Sequence, residues 1–224
     1  VASGAGIIIS GQLARDEKEK ALQVFDTALI CAGIISVFIA VFGNLFIHPL
    51  AELLGSTPQI HDEATEYIRY IVSFSPFLIF SFLLSGLVRN DGSPKLAMFA
   101  LAFGSVSNIV LDYVFMCPLH MGIGGAALAT AVGPVFSVLI MLPHFLWKKG
   151  NLYFALPKLR LSTVRNIFTL GFPSFIMEFT IGIITFVYNI AIVKHGYGEI
   201  GLAAYLLIGY LMLIILTLFL GMAG

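Results

Sequence analysis

Six apolar runs leave this chain of 224 residues few folds to choose from. They lie near 23–47, 65–88, 95–117, 123–147, 167–193 and 200–223, and each is about 23 to 27 residues long. About 20 helical residues cross the hydrocarbon core of a bilayer. Composition agrees, with 59% of residues hydrophobic and 11% charged; a soluble domain carries about 45–50% and about 25%. The expected fold class is an all-α polytopic membrane protein. An apolar stub, VASGAGIIIS, precedes the first run without a charged region before it. It is too short to span and lacks the layout of a signal peptide. The expectation is therefore a piece of a longer protein, with about six full transmembrane helices and a partial one at the N-terminus.

Turn-rich joints separate the runs: 14–20, Gly55-Ser56-Thr57-Pro58, 89–94, Cys117-Pro118 and Gly196-Tyr197-Gly198. The longest joint, 147–166, mixes Trp147, Tyr153 and Phe154 with five basic residues and reads as an interfacial linker between two bundles. Lys and Arg fall on alternate joints. Three lie in 14–20, two in 89–95 and five in the linker, which is ten of the twelve; Arg69 and Lys194 are the exceptions. By the positive-inside rule, the joints 14–20, 89–95 and 147–166 face the cytoplasm. Pro76, Pro134, Pro143 and Pro173 sit within the runs, where each removes a backbone hydrogen bond and favours a kink.

The composition also limits function. Net charge is zero with no basic or acidic block, which argues against a nucleic-acid partner. Cys31 and Cys117 lack metal-ligand spacing and read as packing residues. His48, His61, His120 and His195 lie at helix ends or in joints, and the basic linker follows His144 closely; all five read as solvated or interfacial. Asp26 and Arg69 sit near helix ends, within reach of the interface. No nucleophile–base pair or paired metal ligands occur inside the spans, so no enzyme is expected, and no cofactor. Nor does a mid-span lysine offer a Schiff base for a retinal protein.

Two acidic residues remain well inside the runs, Asp112 and Glu178. A carboxylate at the centre of a membrane helix costs roughly 2.5 kcal/mol or more, so it faces a cavity or a partner. Asp112 shares a helix face with Ser105 and Asn108; Glu178 begins a second stripe continued by Gly182, Thr185 and Asn189. Desolvation favours the neutral form of such a carboxyl, whereas a bound cation favours the charged one, so the group can exchange a proton for a cation. Asn108 offers a carbonyl oxygen and Thr130 a hydroxyl from the next run, and hard cations such as sodium take oxygen ligands of this kind.

The stretches SGAGIIISGQLARDEKEKA, LVRNDGSPKLAMFALAFGSVSNIVLDYVFM, MGIGGAALATAVGP and LGFPSFIMEF resemble, in this order, the multidrug and toxic compound extrusion (MATE) transporters. The resemblance covers essentially the whole chain. It implies a partial two-lobe helical bundle: an incomplete first lobe at 1–147, a cytoplasmic linker at 148–166, and the start of a second lobe at 167–224. It also implies that helix one, with a further carboxylate of the cation site, is absent here. The family's first-lobe cation site falls on Asn108, Asp112 and Thr130. Glu178 is the nearest match to a second-lobe glutamate, displaced by about one helical turn. The implied function is sodium- or proton-coupled antiport of organic cations, with Tyr188, Tyr205 and Tyr210 available to stack on them. The implied partners are the bilayer and small organic cations, with the protein a monomer in the cell membrane. The alternative within the superfamily is a flippase for lipid-linked precursors. It would require basic residues inside the spans, and these are nearly free of them.

Overall fold

The structure, a computed structural model, describes residues 1–54, 56, 60–154, 160–195 and 198–223. The joint residues Gly55, Thr57, Pro58, Gly196 and Tyr197, and linker residues 155–159, lie outside that set. The described residues form helices and their connections. In order these are α1 (Ala2–Ala14), α2 (Lys18–Leu45), α3 (Ile47–Leu53), α4 (His61–Ser73), α5 (Ser75–Asn90), α6 (Pro94–Met116), α7 (Gly122–Leu146), α8 (Leu161–Lys194) and α9 (Gly198–Ala223).

The apolar runs map onto these helices. Four of them, Lys18–Leu45, Pro94–Met116, Gly122–Leu146 and Leu161–Ile192, are single helices long and apolar enough to cross a membrane. The run 65–88 is instead a bent pair, α4 and α5, meeting at 45° around Phe74. Pro76 explains the break, because proline is tolerated in a first helical turn but not in a helix interior. The other three prolines do not interrupt their helices: α7 runs on through Pro134 and Pro143, and α8 through Pro173. The last run falls on α9, whose described apolar stretch is Ala204–Ile215.

Two compact units, Val1–Phe172 and Pro173–Gly224, divide the chain. The first has a core built from Ile9, Phe25, Leu83, Leu84, Leu87, Met141, Phe145, Leu152 and Ile167, all at most 1% exposed. Its outward faces are apolar as well: Ile34, Met98 and Ile109 are each exposed by at least two thirds. In water such a surface would be a site of aggregation; against lipid it is the expected exterior. The multi-pass membrane class follows from both faces together.

Small residues set the helix spacing. A Cβ on Gly104 of α6 would run into the Ser137 hydroxyl of α7 and lie 2.8 Å from the Gly133 carbonyl. Gly133 in turn faces the Gly104 carbonyl at 3.0 Å. The two backbones therefore touch, and Ser137 Oγ donates to the Ala100 carbonyl at 2.9 Å across the same seam. This is the close approach that the Gly- and Ala-rich stretch after Gly122 allows. In α1, Gly4 lies against the Ile167 carbonyl in the same way.

Candidate functional site

The α6–α7 seam carries the polar residues singled out in the sequence. One turn beyond Gly104, Asn108 sits where its Cβ is 3.3 Å from the position a Gly133 Cβ would take. From there Asn108 Nδ2 donates to Thr130 Oγ1 at 3.5 Å, a long contact between two helices. Asp112 follows one further turn along α6. Its Oδ1 is closed off from solvent and has no hydrogen-bond partner among the described residues. A buried carboxylate oxygen without a partner is costly, and such exceptions call for an explanation. Ser105 shares the face but is satisfied locally, donating to the Leu101 carbonyl at 3.0 Å. The fold thus brings the Asn108 amide to the Thr130 hydroxyl and leaves the Asp112 carboxylate one turn along α6, three groups with hard oxygens of the kind a sodium ion takes. Among the described residues, no group of three or more His, Cys, Asp or Glu exists to suit a softer metal.

The second unit holds the other candidates. Glu178 is exposed on α8. Thr185 donates to the Ile181 carbonyl at 2.9 Å, while Asn189 keeps a buried Oδ1 with no partner among the described residues. Tyr188 of α8 and Tyr205 of α9 stack, with ring centroids 5.5 Å apart and planes 13° from parallel. Tyr210 is 66% exposed.

Two expectations for charged residues and histidines are overturned. His144 is not interfacial: it is 3% exposed, and its Nε2–H donates to Asp91 Oδ2 at 2.8 Å. Asp91 Oδ1 accepts two more hydrogen bonds, from the backbone N–H of Asn151 at 2.7 Å and of Leu152 at 3.2 Å. Local turns build this hub. Gly92, at φ +82°, ends α5 in a left-handed turn that leaves Asp91 facing inward. Lys148, at φ +50°, ends α7 in the same way just after His144. His48 and His61, 13 residues apart in the chain, meet each other, with facing ring nitrogens 3.2 Å apart. The second concerns Asp26, which does not reach the interface. It is 6% exposed, two turns inside α2, and borders an apolar hollow of about 460 Å³ with Phe80, Val138 and Phe154. The signal for the Asp91 hub was present but faint: one acid and one histidine, 53 residues apart, each at the end of a run abutting a basic joint.

A multi-pass helical bundle whose interior polar groups lie between glycine-packed helices has the build of a membrane transporter. The comparisons point the same way. The family model described as MatE matches residues 1–114. The multidrug export protein MepA of Staphylococcus saprophyticus is 28% identical over 207 residues, 90% of this chain and 45% of its own length. MepA of a Staphylococcus aureus strain is 26% identical, with the same two coverages. Among solved structures, the outward-facing conformation of a multidrug resistance MATE family transporter superposes with a TM-score of 0.84 at 26% identity, over 95% of this chain and 48% of that one. A MOP superfamily transporter from Pyrococcus furiosus superposes with a TM-score of 0.83 at 25% identity, over 95% and 47%. The chain belongs to the MATE family, whose members are transporters rather than enzymes. It spans about half the length of the curated relatives it matches.

Proposed function

We propose that the protein carrying this chain is a secondary antiporter that exports organic cations or drugs from the cell, driven by inward movement of sodium or protons. The observation that carries the reading is the occluded, unpartnered Asp112 Oδ1 beside the Asn108–Thr130 contact. Asp112 carries the coupling and alternates between a protonated or cation-bound state and an empty one. Asn108 and Thr130 supply neutral oxygens from two helices, so a bound cation draws on α6 and α7 together. The resulting shift between conformations is limited by the difference in ion affinity of the two states. The export of drugs by the MepA relatives supports the substrate class. In the second unit, the Tyr188–Tyr205 stack offers an aromatic face to such a cation, with Glu178 and Tyr210 as further contacts. The joints 14–20, 89–95 and 147–166 lie on the cytoplasmic side, the Asp91 hub among them.

The test is efflux of a fluorescent organic cation by the full-length protein, wild type against Asp112→Asn at matched expression, with sodium and pH gradients imposed separately. Efflux by wild type and none by the variant supports the reading, and the gradient that drives it names the ion. Normal efflux by the variant makes Asp112 a packing contact and ends the assignment.

A further inference from the structure

The first unit holds a hollow of about 460 Å³ that the coupling chemistry does not use. Asp26 of α2 lines it, with Phe80 and Leu84 of α5, Val138 and Leu142 of α7, and Phe154 of the connector. None of Asn108, Asp112 and Thr130 is among the described residues around it, and Asp26 carries the only charge there. We propose that this hollow binds an amphipathic amine, with the ammonium on the Asp26 carboxylate and the apolar body against Phe80 and Phe154.

Charge is the first support. Asp26 is 6% exposed, and a guest filling the hollow would take still more water from its carboxylate. A neutral or anionic guest offers nothing in return, whereas an ammonium donates charge-assisted hydrogen bonds. The two carboxylate oxygens accept about four hydrogen bonds, so the guest adds to the contact that Asp26 already makes within the protein. The walls are the second support. Every other described lining residue is apolar, and two of them present aromatic rings, which attract cations and bury hydrocarbon. The volume falls within the range of about 300–1,000 Å³ usual for small-molecule sites.

Rigidity is the third. The backbone N–H groups of Asn151 and Leu152 are tied to Asp91 Oδ1, two residues before Phe154. The Phe154 ring then lies 5.7 Å from Phe25, the neighbour of Asp26 in the chain, and 6.3 Å from Phe145. A wall already fixed in place loses little freedom when a guest arrives. Leu84, 1% exposed, belongs to the floor, and Phe154, 42% exposed, to the rim. The hollow lies two turns along α2 from the joint 14–20. On the export reading that end faces the cytoplasm, so an amine held there waits on the loading side. This role rests on that reading; the binding does not.

The test is binding of dansylcadaverine, a primary ammonium on a naphthalene body, to the full-length protein in lipid nanodiscs, with empty nanodiscs subtracted. Its N-acetyl derivative has the same body and no charge. The expected result is saturable binding of the amine to wild type, with the acetylated probe about tenfold weaker or worse. Asp26→Asn should bring the amine down to the affinity of the acetylated probe. Val138→Phe, which fills the hollow and keeps the carboxylate, should weaken both probes. The proposal is overturned if the two probes bind wild type equally, which would make the hollow a seat for hydrocarbon such as a lipid chain. It is also overturned if amine binding survives both substitutions in folded protein. The two-probe comparison on wild type needs no variant to fold. Efflux assays on the same samples separate the two readings. Binding that depends on Asp26 in a protein without efflux ends the export reading alone, and efflux with binding indifferent to Asp26 and Val138 ends this site alone.

Discussion

Asp91 and Asp112 each hold a carboxylate oxygen closed off from solvent in the first unit, yet the protein treats them in opposite ways. Asp91 has three hydrogen bonds, from the His144 ring and two backbone N–H groups, and none of them involves a mobile ligand. Asp112 has a buried oxygen with no partner among the described residues, one helical turn from the Asn108 amide. A carboxylate saturated by its own protein has no capacity left for an exchangeable ion, and its role is to hold elements together. A carboxylate left short of donors is costly unless something else supplies charge or a proton. Asp91 is also the more deeply buried of the two, but the count of partners is what separates their roles.

The largest separation between the two acids is expected in transport. Asp112→Asn should reduce ion-driven efflux to the background of cells without the protein. Its melting temperature in detergent should stay close to wild type, since the change is within about 1 kcal/mol for a site with no bond to lose. Asp91→Ala should do the reverse at the level of folding. Removing one partner of a buried, hydrogen-bonded pair costs about 3–5 kcal/mol, so the expected outcome is a lower melting temperature and yield. A well-folded Asp91→Ala protein would mean that Asp91 does not hold these elements together. Gly104→Ala comes next: forcing a methyl between touching backbones costs about 1–3 kcal/mol. It should also weaken efflux by parting Asn108 from Thr130, measurable as a raised concentration of driving ion at half-maximal rate. Thr130→Ala should have the smallest effect. Loss of one neutral ligand, about 1 kcal/mol, predicts a shift of about fivefold in that concentration with an unchanged melting curve.

How much of this the sequence disclosed depended on whether the relevant distance lay along the chain or across it. The apolar runs, the Asn108–Asp112 face and the small-residue run after Gly122 all follow from periodicity within one helix; among the described residues, four runs are single spans, 65–88 is a bent pair, and the last is the shorter apolar stretch Ala204–Ile215. The Asn108–Thr130 contact was within reach because α6 and α7 are consecutive and joined by a short turn. The break at Phe74 was only half legible. Pro76 was visible, but a continuous apolar run hides where a helix stops. The Asp91–His144 hub was not legible, since it depends on two left-handed turns, at Gly92 and Lys148, that aim side chains from separate helices at one point. The His48–His61 pair was missed for a related reason. Their spacing of 13 residues has no meaning until a short helix and a turn fold back on each other.

The hub at Asp91 also says something about mechanics. The backbone leaving α7 is clipped to the first unit at Asn151 and Leu152, and Phe154 lies against the Phe25 ring at 5.7 Å. A connector fastened in this way has no swivel at its root. Its proximal end, as far as Phe154, moves with the body it leaves, like a strap riveted rather than hinged. Inserting residues at Gly150, where even a methyl would collide with the Asp91 carboxylate, would therefore loosen the rivet rather than lengthen the strap.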